Sequence, residues 1–176
     1  MTIPWQEAYG AVITKPERIW LKDAAASAAQ QFGQPTIVNI GVFECATMYC
    51  LRAGAPDAHI VGIDIEPCAV AIHKELRAEF IIADSRICHT NFKSPIHLLF
   101  VDGSHKYSVV AADIANWVPK IVPGGVVAFH DYAPSQKHLV KWKLYGVRQA
   151  IDEWAATANW KCIPTVGSLA AFQRPK

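Results

Sequence analysis

The sequence predicts an α/β fold in which a mostly parallel sheet is covered by helices on both faces. Short apolar, β-branched segments alternate with helix-favouring segments along most of the 176 residues, a pattern typical of parallel sheets. The strand segments are apolar throughout rather than at every second position, which indicates burial on both faces. Two further short strand segments in "WKCIPTVGSLAAFQR" are expected to form an antiparallel pair at the C-terminus.

Each element is indicated by its own residues. An Ala-rich, helix-favouring segment, Ala24 to Phe32, is followed by the helix breakers Gly33 and Pro35. The five strands of the sheet are predicted in "TIVNIGVF", "HIVGIDI", "EFIIADS", "IHLLFVDGS" and "GGVVAFHDY". The helices are predicted in "ATMYCLRAGAP", in "PCAVAIHKELRAE" with Pro67 in its first turn, in "VVAADIANWVPKIV" and in "GVRQAIDEWAATA". The third of these helices presents one apolar face with Val110, Ile114, Trp117, Val118 and Ile121.

Length and composition restrict the class of protein. A chain of 176 residues supports one domain and is too short for two, so we predict a single domain (1–176) with an N-terminal helical segment (1–35) and an α/β core (36–176). The net charge of +2 is too small to argue for a nucleic-acid partner. No apolar run approaches the roughly 18 residues of a membrane helix, and the N-terminus lacks the pattern of a signal peptide.

The cysteines point to a reducing compartment. Five are scattered without a CxxC pair or a zinc-binding spacing, namely Cys45, Cys50, Cys68, Cys88 and Cys162. Disulfides are rare where thiols are kept reduced. We therefore expect a cytoplasmic protein without a membrane segment.

Acidic residues follow nearly every predicted strand. Asp64, Asp84, Asp102 and Asp131 stand at these positions, with His105 and His130 close by. In open parallel sheets, ligands bind beyond the carboxyl ends of the strands, and buried carboxylates need partners. These residues are therefore the candidate functional site. In the alternative, the polar residues after the strands, with Ser85, Ser104, Asp102 and Asp131 among them, cap the helices that follow.

The succession "TIVNIGVFECAT", "VGIDIEP", "FIIADS", "IHLLFVDGSHKY", "VPGGVVAFHDY" and "GVRQAIDEW" resembles the class I S-adenosylmethionine-dependent methyltransferases. It is most similar to small O-methyltransferases that carry a DGxHxY and a PGG…HDY motif. The resemblance extends from Thr36 to the C-terminus and implies a Rossmann-like, doubly wound sheet. It also implies transfer of a methyl group to a hydroxyl of a small molecule, with sugars and polyols among the candidate acceptors.

The resemblance implies a set of cofactor contacts. Asp64 would accept hydrogen bonds from the ribose hydroxyls, and Gly41 would let the backbone approach the cofactor. Asp84 and Ser85 would border the adenine, with Ile65 packed on its ring. The implied cofactor-binding residues are Asn39, Gly41, Phe43, Asp64, Ile65, Asp84, Ser85 and Asp102.

The resemblance also implies catalytic and metal-binding roles. His105 would remove the proton of the acceptor hydroxyl, since the ordinary imidazole pKa of about 6.5 suits a base at neutral pH. Asp102 would lie beside the methionine end of the cofactor. Asp102, His130 and Asp131 would hold a divalent metal, Mg²⁺ or Mn²⁺, that activates the hydroxyl. In the alternative, no metal binds and His130 points into the structure.

Three residues depart from the family pattern. Asn39 replaces an acidic residue, Cys45 replaces a glycine, and His130 replaces a carboxylate found in several metal-binding relatives. The first two changes motivate an alternative function, a module that binds S-adenosylmethionine or another nucleoside without catalysis. We also expect a homodimer formed through the N-terminal helix. Basic residues after the fifth strand form either a lid or a solvated helix face, and these are Lys137, Lys141, Lys143 and Arg148.

Overall fold

The computed structural model describes residues 13–67, 74–142 and 145–176. The strands are β1 (Thr36–Ile40), β2 (His59–Asp64), β3 (Glu79–Ile82), β4 (Ile96–Val101), β5 (Ile121–Phe129), β6 (Lys161–Ile163) and β7 (Ala170–Gln173). The α-helices are α1 (Lys15–Phe32), α2 (Ala46–Gly54), α3 (Ser85–Cys88), α4 (Tyr107–Trp117), α5 (Gln136–Trp142) and α6 (Tyr145–Ala155). Short 3₁₀ turns lie at Lys74–Leu76 and Val118–Lys120.

The strands form one sheet in the order β3-β2-β1-β4-β5-β7-β6. Strands β1 to β5 pair in parallel, whereas β7 is antiparallel to both β5 and β6. The predicted Rossmann-like, mostly parallel sheet with a C-terminal antiparallel pair is confirmed. The order reverses between β1 and β4, which is the position where such sheets open a crevice for a ligand.

Both faces of the central strands β1 and β4 are buried, as the continuous apolar strands predicted, whereas the edge strands β3 and β6 are partly exposed. Side chains of β1 alternate between the faces: Ile37 packs toward α1 and α2, and Val38 and Ile40 pack toward α4 and α6. The first face is filled by residues such as Leu21, Ala25, Met48, Leu51 and Phe100. The second is filled by residues such as Val110, Ile114, Trp117, Ile151 and Phe129.

Helix α1 begins nine residues before the segment that the sequence favoured as helical. It starts at Lys15, behind the cap residue Thr14, and ends at Phe32 before Gly33, whose φ is 76°. The start carries an unused sequence signal, Thr14 followed three residues later by Glu17, which is a capping box. Pro16 in the first turn supports the same start.

The helix predicted over "VVAADIANWVPKIV" extends too far, and that part of the prediction is wrong. Helix α4 ends at Trp117, a 3₁₀ turn covers Val118–Lys120, and Ile121 is the first residue of β5. Pro119 explains the break, since its ring has no N–H and clashes with a continuing α-helix. Val110, Ile114 and Trp117 nonetheless share a buried face as expected.

Part of the helix predicted after β2 lies outside the described residues. Residues 68–73 belong to that part, which includes Cys68, and Lys143 of the basic segment is also outside. Among the residues that the structure describes, no helix combines the length and the apolar composition that crossing a membrane requires.

Candidate functional site

The four acidic residues predicted at the strand ends lie at one edge of one sheet. Asp64 closes β2, Asp84 follows β3, Asp102 follows β4 and Asp131 follows β5. Because these strands run in parallel, their carboxyl ends share that edge. The edge has two parts. We call the ends of β1, β2 and β3 the β2 side, and the ends of β4 and β5 the β4–β5 side.

On the β2 side, Asp64 binds the loop that follows β1. Its Oδ2 accepts hydrogen bonds from the backbone N–H groups of Val42 at 2.7 Å and Phe43 at 3.0 Å. Its Oδ1 accepts one from Glu66 N–H at 3.0 Å. A carboxylate has about four acceptor positions, so about one remains for an external donor. Next to it, the side chains of Phe43 and Ile65 are each 67% exposed.

Gly41 is required for the shape of the same loop. Its φ is 83°, and a Cβ there would lie 2.1 Å from the backbone oxygen of Asp102. Glycine therefore lets the β1 loop pack directly on the chain that leaves β4. Cys45 adopts a φ of 63°, a left-handed conformation in which glycine is the usual residue. This conformation fits the glycine that the family resemblance implies at the Cys45 position.

Asn39 is fully buried in β1. Its Nδ2 donates to Gly41 O at 2.8 Å, while its Oδ1 has no hydrogen-bond partner within the described part of the chain. A buried acceptor without a partner is costly. The described part of the chain therefore leaves this acceptor uncompensated.

Asp84 and Ser85 face different surroundings. Asp84, rather than Ser85, is the N-cap of α3, and its carboxylate accepts from the backbone N–H and the guanidinium of Arg86. These hydrogen bonds lower the pKa of Asp84. Ser85 points inward, where its hydroxyl donates to Asp113 Oδ1 at 2.6 Å. Ser104, the other predicted cap, accepts from Lys106 N–H at 3.3 Å, and Lys106 is the N-cap of α4.

Asp113 is a buried carboxylate that the sequence interpretation missed. It lies on the apolar face of α4, and burial is the main reason that its pKa rises to about 6, with the Ser85 hydrogen bond acting in the opposite direction. A signal was present, because Asp113 is three residues from Val110 and four from Trp117, on the face predicted to be buried.

On the β4–β5 side, Asp102, His105, His130 and Asp131 meet. His130 Nδ1 lies 3.1 Å from Asp102 Oδ1 and 3.4 Å from Asp131 Oδ2. His105 Nε2 lies 3.0 Å from the same Asp131 oxygen. Asp131 has a φ of 57°, a strained conformation for a residue other than glycine. One carboxylate therefore contacts both imidazoles, and one imidazole contacts both carboxylates.

The contacts shift the pKa values of this cluster in opposite directions. Burial alone would lower the pKa of His130, but its carboxylate partners raise it to about 12. Burial alone would raise the pKa of Asp131, but hydrogen bonds from His105 and His130 hold it well below its usual range. For Asp102, burial prevails over the His130 hydrogen bond and raises the pKa.

Three residues of this cluster can converge on a cation. Asp102, His105 and Asp131 each offer one ligand atom, and these atoms lie within 4.8 Å of one another. Two carboxylates and one imidazole suit a divalent metal such as Mn²⁺. The imidazole of this group belongs to His105, whereas the metal set predicted from the sequence contained His130. The side chain of His130 is 4% exposed, and its Nδ1 faces the two carboxylates.

Glu17 is a second buried carboxylate that the sequence interpretation missed. It lies in the first turn of α1, 2% exposed, and its Oε1 is 3.7 Å from His130 Nε2. Burial alone would raise the pKa of Glu17, but His130 and the hydrogen bonds from Thr14 and Ser168 together lower it to about 2. No local pattern marks the contact, because 113 residues separate Glu17 from His130.

Comparison with known proteins agrees with the fold. Residues 38–132, more than half of the chain, match the family model described as a methyltransferase domain. A 58-residue segment is 41% identical to the uncharacterized protein y4gI of Sinorhizobium fredii, and the match spans 33% of this chain and 6% of that protein.

Three solved structures illustrate the fold. The O-methyltransferase TomG from Streptomyces achromogenes, in complex with SAM, superposes with a TM-score of 0.71 at 18% identity, over 94% of this chain and 82% of that one. The O-methyltransferase from Bacillus cereus, in complex with SAH, superposes with a TM-score of 0.70 at 16% identity, over 96% of this chain and 86% of that one.

The methyltransferase MycE, in complex with Mg, SAH and mycinamycin VI, gives a TM-score of 0.62 at 16% identity, over 92% of this chain and 55% of that one. Identities this low establish the fold alone, whereas the family model also covers the loops of the candidate site, from Asn39 to Asp131. The chain belongs to the methyltransferase-domain family.

Proposed function

We propose that the chain transfers a methyl group from S-adenosylmethionine to a hydroxyl group of a small molecule. One observation carries the proposal. In a chain of the methyltransferase family, hydrogen-bond acceptors suited to a nucleoside lie on the β2 side of the sheet edge. A carboxylate–imidazole cluster lies on the β4–β5 side of the same edge. The β2 side suits binding of the cofactor, and the β4–β5 side suits activation of the hydroxyl that receives the methyl group.

The β2 side offers what an adenosine and an amino-acid group require. The acceptor position left on Asp64 Oδ1 suits a ribose hydroxyl. The exposed side chains of Phe43 and Ile65 offer apolar surface to a purine ring. The buried Oδ1 of Asn39 suits the ammonium group of the methionine part. Asp84 and Ser85 are proposed to border the adenine, although both are bonded within the chain.

On the β4–β5 side, His105 is the proposed base. Its Nε2 is hydrogen-bonded to Asp131 Oδ2, and its side chain is 35% exposed, so a bound acceptor can reach it. The imidazole takes the proton of the hydroxyl, the oxygen forms its bond to the methyl carbon, and the carbon–sulfur bond of the cofactor breaks. S-adenosylhomocysteine leaves, and the proton stays on His105 until it passes to solvent.

A divalent metal fits the same cluster. Asp102 and Asp131 belong both to the set predicted from the sequence and to the group that converges in the structure, with His105 or His130 as the third ligand. His105 is the imidazole that converges with the two carboxylates on one point, whereas His130 Nδ1 already contacts both of them. A bound metal would lower the pKa of the acceptor hydroxyl. If His105 is a ligand, it cannot be the base at the same time, so the two roles are alternatives.

Calorimetry and a single-turnover assay together test the function. The first titrates S-adenosylmethionine into the protein, and the second follows transfer of a labelled methyl group to a panel of sugars, polyols and phenols, with and without Mn²⁺ or Mg²⁺. Binding together with transfer to a hydroxyl supports the proposal. Tight binding without transfer to any acceptor favours the non-catalytic module that Asn39 and Cys45 suggested. Absence of binding contradicts both functions.

The acceptor class, the cellular location and the oligomeric state are predictions from the sequence. A sugar or polyol is the acceptor class that we expect, and the complex of MycE with mycinamycin VI shows that this fold accommodates a small-molecule ligand. A cytoplasmic location and a homodimer formed through the N-terminal helix are also proposed. Sedimentation of the purified chain at two concentrations tests the dimer.

A further inference from the structure

Glu17 makes more contacts than a helix cap requires. Its Oε2 accepts hydrogen bonds from Thr14 N–H at 2.7 Å and from Thr14 Oγ1 at 2.6 Å. Its Oε1 accepts from Ser168 N–H at 2.7 Å and Ser168 Oγ at 2.8 Å. Only the first pair belongs to the cap of α1. The cap therefore accounts for the contacts of Oε2 and leaves those of Oε1 to Ser168 unexplained.

The loop between β6 and β7 is built around this carboxylate. Gly167 has a φ of 62°, and a Cβ on it would lie 2.4 Å from Glu17 Oε1. The next residue, Ser168, accepts hydrogen bonds through its carbonyl oxygen from Tyr132 N–H at 2.8 Å and Ala133 N–H at 3.2 Å. Glu17 is therefore connected, through one residue, to the backbone that directly follows Asp131.

A second connection runs through His130. Its Nε2 has no hydrogen-bond partner within the described residues, and Glu17 Oε1 lies 3.7 Å away, beyond a direct hydrogen bond. Both side chains are almost inaccessible to water, so opposite charges at this distance attract each other strongly. The other ring nitrogen contacts Asp102 and Asp131. One imidazole therefore joins α1 to both carboxylates of the β4–β5 side.

We propose that Glu17 is a positioning residue. It holds the His130 ring and the loop between β6 and β7, and thereby fixes the positions of Asp102 and Asp131 relative to each other. Two independent contacts of one oxygen, to Ser168 and toward His130, converge on the chain around Asp131. The arrangement also accounts for the left-handed backbone of Asp131, since strained residues persist where their surroundings fix them. The effect on methyl transfer rests on the proposed function, but the positioning itself does not.

The test compares Glu17→Gln with Thr14→Ala in the full-length chain. The glutamine oxygen can still accept from Ser168, but the negative charge facing His130 is lost. The alanine removes one donor from the cap and leaves both contacts of Oε1 intact. The readouts are the ¹⁵N and ¹H resonances of the His130 ring, the affinity for Mn²⁺, and kcat and KM for methyl transfer.

We expect Glu17→Gln to shift the His130 ring resonances, to weaken Mn²⁺ binding about tenfold and to lower kcat at least tenfold, with KM for S-adenosylmethionine within about twofold. Thr14→Ala should lower the melting temperature while kcat and the ring resonances stay as in the wild type. Unchanged resonances in Glu17→Gln, or equal losses of kcat in both variants, would overturn the proposal. If the wild type transfers no methyl group, the proposed function fails, and the His130 resonances and Mn²⁺ affinity still decide the positioning.

Discussion

The two parts of the sheet edge hold their acidic residues in different ways. On the β2 side, Asp64 and Asp84 bond to backbone or side chains within or beside their own loops. On the β4–β5 side, Asp102 and Asp131 share His130, and His130 faces Glu17 on another element. The first arrangement shapes loops for a ligand, and the second fixes side chains from different elements relative to one another.

Two buried carboxylates, Asp131 at the β4–β5 side and Asp113 on α4, show how a partner affects the pKa. Asp131 contacts two imidazoles, and its pKa lies well below the usual range. Asp113 has a neutral serine as hydrogen-bond partner, and burial raises its pKa to about 6. Burial alone therefore does not decide the pKa direction of a carboxylate in this protein, since the imidazole partners of Asp131 outweigh burial, whereas at Asp102 burial outweighs His130.

The largest effect is expected from His105→Ala on the β4–β5 side. Removal of the base should lower the single-turnover rate by about two to four orders of magnitude. Affinity for S-adenosylmethionine, measured by calorimetry, should stay nearly unchanged, since the cofactor contacts are assigned to the β2 side and to Asp102 rather than to His105. A variant with full activity would show that His105 is not the base.

On the β2 side, Asp64→Ala should act on binding. We expect the dissociation constant for S-adenosylmethionine to rise about 10- to 100-fold, because hydrogen bonds to a charged group contribute roughly 1.5–3 kcal/mol. Circular dichroism should show an intact fold. Asp57→Asn, at an exposed position in the loop before β2, serves as the control. Equal affinities of Asp64→Ala and this control would remove Asp64 from the cofactor site.

Asp113→Asn should change how stability depends on pH. The folded-state pKa of about 6 exceeds the ordinary value of 3.8, so the native state binds the proton more tightly than the unfolded state. The free energy of unfolding of the wild type should therefore fall as the pH rises from about 4 to 6. The asparagine variant lacks this contribution, and its stability relative to wild type should grow by about 2 kcal/mol over that range.

Urea unfolding at several pH values measures this difference, with Asp57→Asn again as the exposed control. The direction is opposite for Asp131, whose lowered pKa adds stability that is lost only as the pH falls below the ordinary range of a carboxylate. A stability difference between Asp113→Asn and wild type that stays constant from pH 4 to 7 would contradict a raised pKa.

The smallest effect is expected in two double-mutant cycles, one on each side of the sheet edge, which measure the coupling between two carboxylates. Asp102 and Asp131 both contact His130. The effects of Asp102→Asn and Asp131→Asn on the free energy of unfolding should therefore deviate from additivity by about 1 kcal/mol. Asp64→Asn and Asp84→Asn have no common partner in the described residues and should add within about 0.5 kcal/mol. Thermal or urea unfolding of single and double variants measures both cycles. Equal coupling energies in the two pairs would contradict the proposed difference between the β2 side and the β4–β5 side.

Local patterns predicted most of the sheet and the positions at its edge. A continuous apolar strand followed by an acidic residue is visible in the sequence at Asp64 and Asp102, and parallel order then brings their loops together. Pro119 could have corrected the overlong helix, since proline interrupts helices for a known steric reason. The four-residue helix α3 was too short to give a periodic signal.

The contacts that connect distant parts of the chain were not predictable from local patterns. The capping box predicts where α1 starts, but nothing near Glu17 indicates that its second oxygen reaches Ser168, 151 residues later. The direction of His130 was equally open, since the sequence allowed either a metal ligand or an inward-pointing ring. Such contacts depend on how helices and loops pack around the finished sheet, which tertiary structure alone determines.

A crystal structure with S-adenosylhomocysteine and Mn²⁺ tests the central claim most directly. We expect the ribose to contact Asp64, the adenine to lie beside Asp84, and the sulfur end to approach Asp102. We also expect anomalous density for the metal between Asp102 and Asp131. A nucleoside bound elsewhere, or an edge that stays closed by the protein's own side chains at saturating ligand, would contradict the account.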